Sequence, residues 1–412
     1  MTDTAADLCR FIDASPSPFH AVAESARRLD AAGFERLDEA AGWPSDAGRG
    51  RRYIVRDGSL VAWSSDDPVD GWRIAGAHTD SPNLRIKPRP DSARAGARQL
   101  AVEPYGGVLL NSWLGRDLGL SGRVALRDGS LVLLRVDEPV LHLPQLAIHL
   151  DREVVTSGLV LNPQQHVVPI WGVGGPEAGG FVQWVAERLG CDAADVVAWD
   201  VMTHDLAPST VAGRDGELLS APRLDNLCST WACTEALLAS KRGVVALYDH
   251  EEIGSETNRG AASPLLATVL ERITGRDREA YHRALAQSVC ASSDMAHATH
   301  PNYADRHEPG HQIALNGGPV IKTNVNQRYA TDARGAQTFV AACERAGVPV
   351  QWYAHRADLP CGSTIGPITA ARLGIPVVDV GAPQLAMHSA RELMGSADPA
   401  MLRDALAAFL LG

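Results

Sequence analysis

Apolar residues recur at the three-and-four spacing of a helix over residues 5–13 and again over 19–32. Ser15-Pro16-Ser17-Pro18 breaks the two segments apart, since proline in a helix interior removes a donor and clashes with the preceding turn. Strand-like runs follow in RRYIVR, SLVAWS and WRIAGAH. Between about 88 and 207 the texture changes. Short β runs (QLAVEPYG, GRVALR, SLVLLRV, HVVPIW) are divided by turn residues such as Arg127-Asp128-Gly129, with one helix expected over 180–190. Beyond Ala221 strands and helices alternate: helix 226–240, strand GVVALYD, helix SPLLATVLERIT, strand AQSVCASSD and helix ARGAQTFVAACERAG. Strand VPVQWYA, helix IGPITAARLG, strand IPVVDVG and a closing helix over 399–411 complete the series. Apolar strands that alternate with helices are buried on both faces. The pattern therefore predicts an α/β fold with a mostly parallel central sheet and helices on both faces. Residues 1–87 and 208–412 form this discontinuous domain, and 88–207 form an inserted β-rich second domain.

Composition narrows the setting. A chain of 412 residues exceeds what one hydrophobic core organises. The 45% hydrophobic and 21% charged shares are those of a globular protein. No apolar run reaches the roughly 18 residues a membrane span needs, and the first residues lack the basic-then-apolar pattern of a secretory signal. A net charge of −11 with no block of basic residues opposes binding to nucleic acid or to an anionic membrane. These features predict a cytoplasmic protein. The seven cysteines are odd in number, scattered and free of any CxxC, so neither a disulfide framework nor a zinc ribbon is expected.

Candidate chemistry gathers at strand ends, where sites of open α/β sheets form. WRIAGA runs into His78-Thr79-Asp80, GVVALYD into His250-Glu251-Glu252, and SVCASS into Asp294 with His297 and His300 beyond it. IPVVDVG leads through APQLAM to His388, and Asp225 stands at the start of the 226–240 helix. A lone acid or histidine at a strand end is ordinary; five such positions in one fold are not. On an extended backbone His78 and Asp80 face the same way, so Asp80 can receive the second ring N–H of a metal-ligating His78. Glu251 and Glu252 are adjacent and point apart, which favours one carboxylate on a metal and the other free as a base. Asp225 can cap its helix and still offer oxygens to metals. Two histidines and two or three carboxylates without cysteine suit a pair of divalent ions, zinc above all, bridged by one carboxylate.

HTDSPNLRIKP, RLDNL, DHEEIGS, SSDMAHATHPNY, NGGPVIKTNVNQRYAT and MHSARE together resemble the aspartyl aminopeptidases, a family of dinuclear zinc exopeptidases, from about residue 10 to the C-terminus. The resemblance implies His78 and Asp294 on one zinc, Glu252 and His388 on the other, and Asp225 bridging. It makes Glu251 the general base and Asp80 the residue that orients His78, with Mn²⁺ or Co²⁺ as alternative metals. For substrate it implies Glu251 and Asp294 beside the scissile group, His297 at the oxyanion and Lys322 facing an acidic side chain. HLPQLAIHLDR resembles a stretch that reaches a neighbouring subunit's site; Gln145 replaces the family's histidine there, leaving His149 as the candidate. The expected activity is removal of an N-terminal Asp or Glu from peptides. The expected assembly is a homo-oligomer in which the inserted domain makes dimer contacts and dimers build a larger closed complex, such as a dodecamer. The rival reading is a dinuclear zinc deacylase or carboxypeptidase on the same core, with Lys322 gripping a carboxylate. A structural role for the metals is disfavoured because structural zinc sites are closed and thiolate-rich.

Overall fold

The computed structural model describes residues 3–66, 71–177, 179–275 and 277–412. The chain divides into two units. One comprises residues up to Asp80, then Ser209–Met387 and Glu392–Gly412; the other comprises Ser81–Pro208 and His388–Arg391.

The first unit is built on a nine-stranded mixed sheet. Its strand order is Glu35–Arg36, Gly50–Arg56, Ser59–Ser65, Gly243–Tyr248, Arg73–His78, Val289–Ser293, Val377–Gly381, Val320–Thr323 and Gln351–Ala354. The four central strands, Gly243–Tyr248 to Val377–Gly381, run parallel. They are buried along nearly their whole length because helices cover both faces. One apolar core joins the sheet to helices Asp3–Ala14, Pro18–Ala31, Leu224–Ser240, Ala333–Ala346 and Asp398–Leu411. A second core joins the opposite face to Leu265–Ile273, Arg278–Ala286 and Ile365–Leu373. A five-stranded sheet, ordered Thr210–Ala212, Leu218–Ala221, Glu392–Gly395, Pro383–Leu385 and Ala296–His297, completes the unit.

The second unit is a closed six-stranded antiparallel barrel in the order Val196–Asp205, Asn83–Arg94, Ala97–Tyr105, Ile170–Val173, Leu131–Leu143 and Arg116–Leu126. Pro88 and Pro90 are accommodated in its first strand where the pairing register shifts between Ile86 and Asp91, the kind of irregularity at which proline's missing N–H does least harm. The run HVVPIW contributes only its end to the strand Ile170–Val173.

The α/β architecture with a β-rich insertion is the one the hydrophobic pattern predicts. The pattern does not announce the strand Val196–Asp205 or the five short strands of the smaller sheet, and two further elements show why. Val320–Thr323 is a strand that its four residues do not announce, because Lys322 interrupts the apolar run although its side chain is buried. Arg278–Ala286 is a helix with only Tyr281 and Ala284 buried, too few to print a helical period on the sequence.

Candidate metal centre

Three parallel strands deliver the site. Arg73–His78 ends in His78, and Gly243–Tyr248 beside it leads through Asp249 and His250 to Glu251-Glu252. Val289–Ser293, on the other side of Arg73–His78, leads directly to Asp294. Hydrogen bonds tie these ends together: Thr79 N–H donates to the Tyr248 carbonyl at 2.7 Å, and Thr230 Oγ1 donates to the His78 carbonyl at 2.7 Å. Gly381 passes so close to Asp294 that a Cβ there would lie 1.8 Å from the Asp294 carbonyl oxygen, so only glycine serves.

His78 is the hub. Its Nδ1 lies 3.0 Å from the Asp80 main-chain oxygen and 3.4 Å from Asp80 Oδ1. A carbonyl can only accept, so Nδ1 donates to Asp80, and Nε2 is the ring atom turned to the acids, where a bound ion would take its lone pair. Nε2 stands 3.4 Å from Asp225 Oδ1 and 3.5 Å from Asp294 Oδ1. Those separations are long for hydrogen bonds. They match the edge of a tetrahedron with bonds of about 2.0–2.2 Å, roughly 3.4 Å. One ligand atom from each of His78, Asp225 and Glu252 lies within 4.8 Å of the others. This donor set, hard oxygens with one imidazole, fits divalent zinc. Burial opposes a charge on His78, but the contacts from Asp225, Asp294 and Asp80 outweigh it and raise its pKa well above the ordinary value.

Asp80 contacts the two glutamates as well as His78. Its carboxylate accepts the main-chain N–H groups of Glu251 at 3.2 Å and Glu252 at 3.1 Å. The adjacent glutamates are not extended, as the sequence argument assumed. They occupy a single 3-10 turn, Glu251–Ile253, entered through His250 in the left-handed region, and it is this turn that separates their directions. Glu251 Oε2 is 4.0 Å from His78 Nε2. Burial pushes Glu251 up to about 8; His78 opposes this, while Asp294, Asp80 and Asp225 add to it. Asp225 does not cap its helix, because Arg223 holds that position, and Asp225 and Asn226 have non-helical backbone angles inside Leu224–Ser240.

His297 pairs its ring with Tyr353 at 6.2 Å. Burial, reinforced by the Lys322 charge, lowers its pKa to about 4 and leaves it neutral at pH 7. Lys322 is only 2% exposed, which excludes a snorkelling surface lysine. Its ammonium donates to the carbonyls of Asp294 at 2.8 Å and Met295 at 3.2 Å and sits 5.1 Å from the centre of the Tyr329 ring. His388 and His149 belong to the barrel unit. His388 has φ +67°, and its Nδ1 lies 3.0 Å from the Gly107 carbonyl oxygen. His149 is exposed in the 3-10 turn Ile148–Leu150.

Residues 11–410 match the Aminopeptidase I zinc metalloprotease (M18) family. The chain belongs to the M18 aminopeptidases. A Mycobacterium leprae relative named "Probable M18 family aminopeptidase 2" is 57% identical, with 99% of each chain covered. A Streptomyces avermitilis relative of the same name is 53% identical, covering 98% of this chain and 97% of its own. Among solved structures, the Ape4 and Nbr1 complex matches with a TM-score of 0.94 and 35% identity over 99% of this chain and 85% of that one. The S. cerevisiae mApe1 dodecamer matches with a TM-score of 0.86 and 28% identity, over 99% of this chain and 96% of that one. The protein is thus a hydrolase, an M18 zinc metallo-aminopeptidase. Among the described residues no helix is long and apolar enough to cross a membrane.

Sequence reasoning missed two residues that hold the site. Glu392 accepts the Asp225 N–H at 2.9 Å, and Asn226 donates from Nδ2 to the Ser293 carbonyl at 3.0 Å. Both lie in motifs that carry the family resemblance, RLDNL and MHSARE. Neither is at a strand end of the central sheet, the feature that singled out the others.

Proposed function

We propose that this M18 aminopeptidase removes acidic N-terminal residues, Asp or Glu, from peptides, using two divalent ions, with zinc the first choice. The observation that supports this most is a buried cation, Lys322, whose main-chain contacts are the carbonyls of Asp294 and Met295. An ammonium has three N–H donors; beyond those two carbonyls this one stands 4.0 Å from Asp294 Oδ2, and its charge favours a further carboxylate where water is scarce.

In this reading His78 and Asp294 would hold one ion and Glu252 and His388 the other, with Asp225 available to both. Such a pair supplies Lewis acidity and a water of lowered pKa when bound. The chain's own residues do the rest. Glu251 accepts the proton of the attacking water and returns it to the departing amine, because it is aimed at the cluster by its turn while Glu252 serves as ligand. Asp80 fixes the pair of glutamates through their amides. A neutral His297 has an N–H to donate to the developing oxyanion.

We further propose a homo-oligomer, dimers building a larger closed complex, with His149 reaching a neighbouring subunit's site. The stretch around His149 exposes Leu146, Ile148, Leu150, Val155 and Val160, with Leu150 at 76% and Val160 at 85%. Leu146, Ile148 and Val160 line a groove of about 800 Å³ together with Pro144 and Leu161. Apolar exposure on that scale marks an interface. Buried thiols at Cys228, Cys233, Cys290 and Cys343 support a cytoplasmic setting.

The test is a panel of aminoacyl reporter substrates with free and N-acetylated termini. Cleavage of Asp and Glu substrates above Ala and Leu, abolished by acetylation, is the expected result. Preferential release of C-terminal residues or of acyl groups would establish the deacylase or carboxypeptidase alternative instead.

A further inference from the structure

We infer that Glu392 is a positioning residue for the shared metal ligand, setting the direction of the Asp225 carboxylate through the Asp225 main-chain N–H. The inference rests on the proposed reading of Asp225 as a metal ligand.

Regular helix geometry does not aim the Asp225 carboxylate. Asp225 lies within Leu224–Ser240, yet its backbone (φ −82°, ψ 103°) and that of Asn226 (φ −125°, ψ 29°) are not helical, and Arg223 before them is left-handed. The helical ladder crosses this segment through the Leu227 N–H to Arg223 carbonyl bond at 3.1 Å, which leaves the two non-helical residues between them to be held by side chains from elsewhere. On one side Asn226 reaches the end of strand Val289–Ser293 through the Ser293 carbonyl. On the other, Glu392 Oε2 accepts the Asp225 N–H at 2.9 Å.

Glu392 is itself held on rigid elements. It opens strand Glu392–Gly395, where it pairs in register with Ala221 of Leu218–Ala221, four residues before Asp225. Gln384, on the next strand of the same sheet, donates from Nε2 to Glu392 Oε1 at 3.4 Å. Glu392 and Gln384 are 2% and 1% exposed. A carboxylate this deep is rarely retained without a task, and a hydrogen bond from an amide to a carboxylate is among the stronger kinds. Outer-shell partners that orient metal ligands typically change metal affinity about 10–100-fold when removed.

Reach and charge are separable by substitution. Glu392→Gln keeps the length and an acceptor oxygen and removes the charge; Glu392→Asp keeps the charge and withdraws the oxygen by one methylene. The full-length protein is stripped with chelator and titrated with zinc, reading zinc affinity by a competing chromophoric chelator and the rise in Tm on zinc addition. The expected result is that Glu392→Asp binds zinc at least tenfold more weakly with a smaller rise in Tm, while Glu392→Gln stays within about threefold of wild type. Wild-type zinc affinity in Glu392→Asp overturns the inference. So does the reverse order, a weak Gln variant beside a normal Asp variant, which would show that charge rather than reach matters. Should wild type bind zinc but fail to cleave any N-terminal residue, the functional reading fails while this comparison still decides the role of Glu392. Should wild type bind no zinc at all, both fail.

Discussion

The strand-end cluster and the barrel's Leu146–Val160 stretch are incomplete in opposite senses. The first buries polar groups: His78, Asp80, Asp225 and Asp294 are at most 8% exposed. The second exposes apolar ones, with Val155 at 79%. Burying several carboxylates around one imidazole is costly unless a cation joins them, and leaving a row of aliphatic side chains in water is costly unless another surface covers them. A site that violates the rule for polar groups calls for an ion; one that violates the rule for apolar groups calls for protein. They also differ in how firmly they are held. Hydrogen bonds between strand ends, from the Thr230 side chain and between Asp80 and the glutamate amides hold the cluster. The exposed stretch has only short turns, Ile148–Leu150 and Val154–Ser157.

The comparison breaks most visibly at the glutamates. Glu251→Gln preserves size but removes the base, so kcat should fall about 10²–10⁴-fold while the metals stay bound. Glu252→Gln should instead lose metal. Stopped assays paired with elemental analysis separate the two, and exchanged phenotypes would reverse the assignment.

Next in size is Lys322→Ala, expected to lower kcat/KM on Asp and Glu substrates by about 10²-fold and to spare Ala and Leu substrates. An equal loss on all four would make the ammonium's bonds to the Asp294 and Met295 carbonyls its whole role. On the barrel side, Leu150→Asp should weaken self-association roughly 10–100-fold, given about 1.5–3 kcal/mol for burying such a side chain. Sedimentation velocity reads the shift to smaller species. Zinc bound per chain should be unchanged in that variant, since the ions and the apolar cover answer different deficits.

The smallest effect concerns His297. Its folded pKa of about 4 lies below the unfolded value near 6.5, so the unfolded chain takes up the proton first as pH falls. The contribution is present above pH 6.5 and is lost between 6.5 and 4, by about 3–4 kcal/mol at most. His297→Asn should flatten the dependence of unfolding free energy on pH in that window.

Much of this was legible along the chain. Buried parallel strands print continuous apolar runs, so Gly243–Tyr248 and Val377–Gly381 stand out, and with them the acids after the first and His388 after the second. Lys322 and Glu392 were harder, because a charged residue in a short strand reads as surface until its neighbours in space are known. The same holds for the double grip of Asp80 on Glu251 and Glu252. That contact joins residues 171 and 172 positions apart, and it depends on two strands being adjacent in the sheet. Local pattern shows which residue types arrive at a strand end, and only the sheet order shows which arrive together.

The most direct test of the cation requirement is zinc stoichiometry measured beside activity. Chelator-stripped protein is titrated with zinc while bound metal and cleavage of an Asp reporter are followed together. Activity should be absent at the start and reach its plateau at two zinc ions per chain. Full activity in excess chelator, with no metal above background, would contradict the assignment of the His78–Asp225–Glu252–Asp294 cluster to metal-dependent peptide hydrolysis.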